Sequence, residues 1–133
     1  MAEKLSWSVG VGSPGGGISQ SGSFDTEAVT LASVSVNAQA NKALTLQLAQ
    51  IDKLSFIAVK SSVYSDKLKV KASGSGAPDI KLNGPLLLFG DSVKLLGPSL
   101  ATITVTNDEP TAAAGAPPVA PADIEIMIGQ KLT

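Results

Sequence analysis

Residues 122–128 read ADIEIMI, where three isoleucines alternate with Glu125 and Met127. Because successive side chains of a β-strand point to opposite faces of a sheet, this spacing predicts a strand with one buried face and one exposed face. The six residues Leu54–Val59 (LSFIAV) are apolar at both parities, which predicts a central strand that is covered on both faces. Both stretches indicate a fold built from strands.

Further strands are predicted wherever apolar and polar residues alternate. These strands are Leu5–Val11, Val29–Val36, Leu44–Leu48, Leu68–Val70, Ile80–Leu82, Leu86–Phe89, Val93–Leu96 and Ala101–Thr106. Turns rich in Gly, Pro, Asn and Asp separate them. Short strands at this spacing predict one all-β domain over residues 1–133, an antiparallel β-sandwich or a barrel.

Two segments admit a second interpretation. Between Leu31 and Val34 the apolar residues change from odd to even positions, and a β-bulge would let one strand keep a single face toward the core. Residues 37–51 contain good helix formers that could share an apolar helical stripe. The alternation LTLQL at 44–48 favours a strand there.

The residue types that are missing from the chain limit its chemistry. The chain has no Cys and no His, and all ten of its cationic residues are lysines. It therefore lacks thiol nucleophiles, disulfides, the usual zinc ligands and the usual general base near neutral pH. Without Arg, and with a formal net charge of −1, it has little attraction for nucleic acid. We expect no catalytic residues, metal site or cofactor, and neither a nucleic acid nor a small-molecule substrate as partner.

The start of the chain does not resemble an export signal. The opening residues MAEKLSWSVG contain Glu3 and Lys4 and have no apolar core. The longest apolar run, Leu86–Phe89, is too short to cross a bilayer. We expect a protein that is made in the cytoplasm, does not enter a membrane, and leaves its compartment only as part of an assembly.

An Ala/Pro segment, residues 108–123 (DEPTAAAGAPPVAPAD), precedes the last strand. Compact domains rarely contain so long a connection without a reason, and its prolines make it stiffer than a Gly/Ser linker. The segment is either a tolerated surface insertion or an arm that contacts a neighbouring subunit through Pro117, Pro118 and Val119.

Two further groups of residues are candidates for contact with a partner. Lys67, Lys69 and Lys71 alternate with apolar residues, and with Lys60 and Lys81 they could present a basic strip to an acidic partner. The same lysines could simply keep a sheet face solvated or protect an edge. A carbohydrate-binding or receptor-binding sandwich would need exposed rings, and Trp7 and Tyr64 are the candidates for that role.

Two stretches near the end of the chain, GPLLLFGDSVKLLGPSLATITVTN (84–107) and ADIEIMIGQKL (122–132), resemble the C-terminal part of small β-sandwich virion proteins of tailed bacteriophages. These are the capsid decoration, or cement, proteins. The resemblance implies a jelly-roll sandwich that binds the outside of an assembled head as a homotrimer and stabilises contacts between major capsid subunits. It also implies a flexible N-terminal arm, residues 1–24, with a Gly-rich break at Gly15, Gly16 and Gly17, that contacts a neighbour.

On this resemblance we expect a non-enzymatic structural protein of the virion, located on the capsid surface. Its partners would be the major capsid protein and further copies of itself, held by many modest contacts. Two alternatives remain at this point. One is a ligand-binding or carbohydrate-binding sandwich, and the other is a phage tail-tube or baseplate subunit.

Overall fold

The computed structural model describes residues 3–46 and 51–131. Two 3₁₀ helices, Ile51–Lys53 and Gly90–Leu96, lie within these residues. The strands are β1 (Glu3–Ser13), β2 (Gly16–Thr26), β3 (Ala28–Val36), β4 (Ala40–Thr45), β5 (Leu54–Ser61), β6 (Leu68–Ala72), β7 (Ile80–Lys81), β8 (Leu86–Phe89), β9 (Thr102–Asn107) and β10 (Ala122–Gln130).

Eight of the strands form two antiparallel sheets that pack against each other. The first sheet has the order β3-β10-β5-β8, and the second has the order β4-β9-β6-β7. Strands that are consecutive in the chain mostly lie in different sheets, so most neighbours within a sheet come from distant parts of the sequence. The predicted fold class, an antiparallel all-β sandwich, is confirmed.

The core lies between the sheets and follows the alternation of the strands. The three isoleucines of β10 are at most 1 % exposed, and they share one apolar cluster with Ile103 and Val105 of β9. Full burial of such a side chain contributes about 1.5–3 kcal/mol. The β5 strand lies between β10 and β8 with Ile57 and Val59 buried in the same cluster, as expected of a central strand.

The bulge expected between Leu31 and Val34 is not formed. The β3 strand pairs with β10 in one uninterrupted register from Ala28 to Val36. Leu31 instead points away from the core and is 73 % exposed. The change of apolar phase therefore marks an apolar residue on the outer face of the sheet, and the strand does not slip.

Two other segments clarify the limits of the alternation pattern. The strand expected at Val93–Leu96 is wrong, because these residues belong to the 3₁₀ helix Gly90–Leu96. Val93 and Leu96 are both buried, and a spacing of three places them on one side of a 3₁₀ helix. In the segment that admitted a helix, β4 is a strand over Ala40–Thr45, and residues 47–50 lie outside the described part.

The Ala/Pro segment is a crossover between the sheets, because β9 belongs to the second sheet and β10 to the first.

Asn107, which is 1 % exposed, fixes the start of this crossover. Its Nδ2 donates to the Val36 carbonyl (3.0 Å) and its Oδ1 accepts from the Glu109 amide (3.1 Å). The Gln39 side chain donates to the Asp108 carbonyl at 3.0 Å. The side chain of Asn107 therefore links the end of β9 to the end of β3 in the other sheet.

We expect Asn107→Ala to lower the free energy of unfolding by about 1–3 kcal/mol, since it removes both bonds and leaves the carbonyl of fully buried Val36 without this donor. Urea denaturation measures the change. The control is Asn83→Ala at an exposed turn position, which should change stability by less than about 0.5 kcal/mol. Equal effects of the two substitutions would contradict the linking role of Asn107.

Candidate protein-binding surface

The β1 and β2 strands form a two-stranded antiparallel ribbon that belongs to neither sheet. They pair along their whole length, from Glu3 opposite Thr26 at the base to Ser13 opposite Gly16 at the tip. Eleven residues per strand give a ribbon roughly 35 Å long. The ribbon occupies the place where the sequence predicts an arm over residues 1–24. A contact of this segment with a neighbour stays a prediction.

The tip of the ribbon contains the three glycines predicted as a break in the arm. Gly15 and Gly16 lie at the turn, and Gly16 has a φ of +141°, in the region that favours glycine. Gly17 is the second residue of β2, opposite Gly12. A Cβ atom on Gly17 would lie 2.9 Å from the Cα atom of Gly12, so this position has no room for a side chain.

The ribbon has one apolar face and no charged residue from Leu5 to Phe24. Its other face carries mainly Ser and Gly. Residues directly opposite each other in an antiparallel pair share a face, and Val11 lies opposite Ile18. The apolar face is formed by Leu5, Trp7, Val9, Val11, Ile18 and Phe24.

Four aromatic rings join the base of the ribbon to the first sheet. The Trp7 and Phe89 ring centroids are 5.1 Å apart, those of Phe24 and Phe56 are 5.2 Å apart, and those of Phe24 and Phe89 are 5.9 Å apart. Such tilted and edge-on pairs stabilise a contact beyond their buried area. Trp7, considered above as a glycan-binding ring, is half-buried within this cluster.

Two of the rings lie over glycines of the neighbouring strand: Trp7 of β1 over Gly22 of β2, and Phe56 of β5 over Gly129 of β10. A Cβ atom on Gly22 would come within 2.8 Å of Trp7 Cζ2, and one on Gly129 would come within 2.6 Å of Phe56 Cδ1. Since only glycine leaves this space free, Gly22 and Gly129 allow the rings to lie close to the backbone. The aromatic cluster thus depends on these two glycines.

An apolar groove extends from the ribbon over the outer face of the first sheet. We name it the outer groove. It has a volume of about 480 Å³, and its outward-facing apolar residues are Leu31, Ala58, Pro85, Leu87 and Met127. The groove also borders the strand positions Ala32, Val59 and Ile126, whose side chains belong to the core side of the sheet. Leu31 and Leu87 are 73 % and 42 % exposed. The outer groove continues into a space of about 280 Å³ beneath the ribbon, since Ala58, Leu87 and Met127 line both.

The far end of the outer groove is polar. Lys60 Nζ lies 3.0 Å from Glu125 Oε2, and both side chains are exposed. Beyond this ion pair the sheet face continues with Ser33, Ser35 and Asp123. Lys60 and Glu125 compensate each other's charge at the end of the groove, and Asp123 lies beyond them.

At the tip of the ribbon the apolar face is uncovered. Val11 and Ile18 are 70 % and 76 % exposed, although they lie on the same face as the anchored Trp7 and Phe24. The outer groove and the apolar face of the ribbon together form what we call the ribbon–groove surface. Sequence reasoning did not identify the groove, although the phase change at Leu31 was its signal.

The predicted lysine strip is only partly assembled. Lys67 is exposed just before β6, and Lys69 and Lys71 lie on the outer face of the second sheet, where Lys69 pairs with Lys81. Lys60 lies on β5 in the first sheet, so the expectation that it joins the strip is wrong. The reason is that β5 and β6, although consecutive in the chain, belong to different sheets.

The remaining candidates lie on the surface of the molecule. Pro117, Pro118 and Val119 are exposed in the crossover, next to a turn in which the Ala116 amide donates to the Ala113 carbonyl (2.9 Å). Their contact with a neighbour stays a prediction. Tyr64 is 38 % exposed, and its hydroxyl accepts from the Ser61 amide (3.2 Å).

Residues 3–46 and 51–131 contain neither a cluster of metal ligands nor a membrane-spanning helix. No group of three or more acidic side chains in this part of the chain could hold a metal ion. None of its helices is long and apolar enough to span a membrane.

We expect Gly129→Ala to lower the free energy of unfolding by about 1–3 kcal/mol, because the new methyl group forces the Phe56 ring out of place. Urea denaturation measures this loss. Gly84→Ala is the matched control, since a Cβ atom there would have no neighbour within 4 Å. If both variants are as stable as the wild type, the ring does not need the space above Gly129.

We expect Phe89→Ala to shift the fluorescence emission of Trp7, the only tryptophan, toward longer wavelength, because the indole loses its ring contact and gains water. Steady-state emission of the folded protein measures the shift. Tyr64→Phe, outside the cluster, should leave the emission maximum unchanged. An unchanged maximum in Phe89→Ala would show that Trp7 does not pack there in solution.

Comparisons of the chain with protein-family models, with curated proteins and with solved structures found no match in any of the three. The ribbon–groove surface is the strongest functional feature of the described residues, and its mainly apolar chemistry, with one ion pair at the end of the groove, suits another protein surface.

Proposed function

We propose that the protein is a non-enzymatic structural protein of a tailed-bacteriophage virion, which binds the outside of the head and stabilises contacts between major capsid subunits. The observation that carries this proposal is the uncovered ribbon–groove surface. Leu31, Val11 and Ile18 are each at least 70 % exposed. A contiguous exposed apolar surface is typical of a site for protein association.

The strand order is a second support. Eight strands divide between two four-stranded sheets in the orders β3-β10-β5-β8 and β4-β9-β6-β7. Double-sheet jelly rolls, a class that includes viral capsid domains, also contain eight strands in two packed sheets. The assignment to the jelly-roll class is part of the proposal.

The two outer faces of the sandwich differ in a way that suits a subunit of an assembly. The outer face of the first sheet is apolar at Leu31, Leu87 and Met127. The outer face of the second sheet carries Lys69 and Lys71 and the threonines of β9. One face therefore suits burial against protein, and the opposite face suits water.

The carbohydrate-binding alternative has less support. Such a site needs exposed rings as stacking platforms. The ring of Trp7 packs on Phe89, and Phe24 and Phe56 pack on each other. Among the aromatic residues that the structure describes, Tyr64 alone has an exposed ring.

The proposal is tested by co-sedimentation with expanded shells of the major capsid protein from the phage genome that encodes this chain. We expect the wild type to pellet with the shells at micromolar concentration. Leu31→Ser should weaken pelleting about tenfold or more, because it removes apolar side-chain area from the association surface on which assembly depends. Leu95→Ser is the matched control, since Leu95 is 68 % exposed and lies outside the ribbon–groove surface.

A wild-type protein that stays in the supernatant, or a gene that lies in no phage genome, would contradict the proposal. A third variant, with residues 111–120 replaced by Gly and Ser at equal length, separates the two interpretations of the Ala/Pro segment. Lost pelleting with unchanged unfolding would make the segment an arm, and unchanged pelleting would make it a tolerated crossover.

A further inference from the structure

The tip half of the ribbon lacks the charged residues and edge prolines that protect an exposed two-stranded ribbon in water. A two-stranded ribbon alone is only marginally stable, and natural proteins protect exposed strand edges with charges or proline. Within the described residues no strand pairs with the outer edge of β1 or β2. From Leu5 to Phe24 the ribbon has no charge, and its one proline, Pro14, is in the turn. The tip therefore has the properties of a surface that another chain covers.

We propose that the ribbon tip of one copy of this protein lies in the outer groove of a second copy, with Val11 and Ile18 packed against Leu31 and Leu87. This inference names the occupant of the ribbon–groove surface. It rests on the proposed function only in taking that surface as a subunit interface, and it does not depend on the virion assignment.

The chain already packs this ribbon face on this sheet face. At the ribbon base, Trp7 and Phe24 lie against Phe56 and Phe89 of the first sheet. The space beneath the ribbon opens into the outer groove, and Met127 lines both. A second ribbon in the outer groove would continue an interface that exists within each chain, with the same chemistry on both sides.

The charges of the two surfaces also match. A ribbon without charge suits an apolar groove whose nearest charged side chains, Lys60 and Glu125, are paired with each other at 3.0 Å. A strongly acidic or basic partner would find no unpaired counter-charge among the described residues that line this groove. The ribbon tip of a second copy is such a neutral, apolar segment.

The base of the ribbon stays with its own sandwich in this contact. Thr26 is 1 % exposed, and its Oγ1 donates to the Gln130 carbonyl at 2.9 Å. The Glu27 amide donates to the same carbonyl at 3.0 Å. These bonds anchor the ribbon where it joins β3, so the tip docks on a neighbour without exchange of the whole ribbon.

The area of the contact is sufficient for a stable assembly. The exposed half of the ribbon is roughly 20 Å long, and covering one face and both edges would bury on the order of 400 Å² on each partner. In a reciprocal dimer each subunit supplies one tip and one groove to the same interface. That interface then buries about 800 Å² on each subunit, the size of a standard stable interface.

The first test is sedimentation velocity of the purified protein over a concentration series. We expect the wild type to form a closed oligomer that dissociates on dilution. The double substitution Val11→Thr and Ile18→Thr keeps β-branched residues in the ribbon but should raise the dissociation constant about 100-fold. Val63→Thr with Leu95→Thr removes a comparable amount of exposed apolar surface elsewhere and should leave association unchanged.

A second test does not depend on the stability of the tip variant. Because the chain contains no cysteine, Ile18→Cys in one sample and Leu31→Cys in another introduce unique thiols. On mixing and mild oxidation we expect a disulfide between the two kinds of chain, identified by mass spectrometry. Leu95→Cys in place of Leu31→Cys is the control and should give little of the mixed product.

Three results would overturn the inference. They are a wild-type protein that is monomeric up to about 1 mM, an oligomer that survives the double Thr substitution, and equal cross-linking of Ile18→Cys to positions 31 and 95. These results differ from failure of the proposed function. A monomer that still pellets with shells would contradict only the self-association. An oligomer that does not bind shells would contradict only the virion assignment.

Discussion

The packing of Phe24 of the ribbon on Phe56 and Phe89 of the first sheet holds the ribbon beside the outer groove and so joins the two parts of the surface that we assign to function. This contact fixes which face of the ribbon is turned toward the sheet. Because the ribbon is a regular β-structure with a two-residue period, its orientation at the base sets the orientation of Val11 and Ile18 at the tip. Gly129, which leaves space for the Phe56 ring, is therefore as important to the surface as the residues exposed on it.

The sandwich separates its chemistry by sheet. Inward positions of both sheets are apolar and close one core. Outward positions of the first sheet include Leu31 and Met127, whereas those of the second sheet include Lys71 and Thr104. Core formation requires only the inward set, so the apolar residues on the outer face of the first sheet are available for a different role, such as association.

Alternation predicted most of the strands because burial of one face is a local property that each strand displays in its own residues. It failed at Val93–Leu96, which belongs to a 3₁₀ helix whose buried residues, Val93 and Leu96, are three positions apart. Four residues are too few to distinguish the period of three of a 3₁₀ helix from the period of two of a strand. At Leu31 the expectation of a bulge assumes that every apolar residue of the strand faces the core. The uninterrupted pairing of β3 with β10 shows that it does not.

The sequence alone determined the all-β class, the core-facing isoleucines of β10 and the absence of Cys, His and Arg. These properties depend only on composition and on the two-residue period of a strand. The partners of each strand could not follow, because neighbours such as β3 and β10 are brought together from opposite ends of the sandwich sequence. For the same reason only the tertiary structure separated Lys60 from Lys69 and placed the ribbon beside Leu87 and Met127. A groove is a property of several strands at once, and no single segment of the chain encodes it.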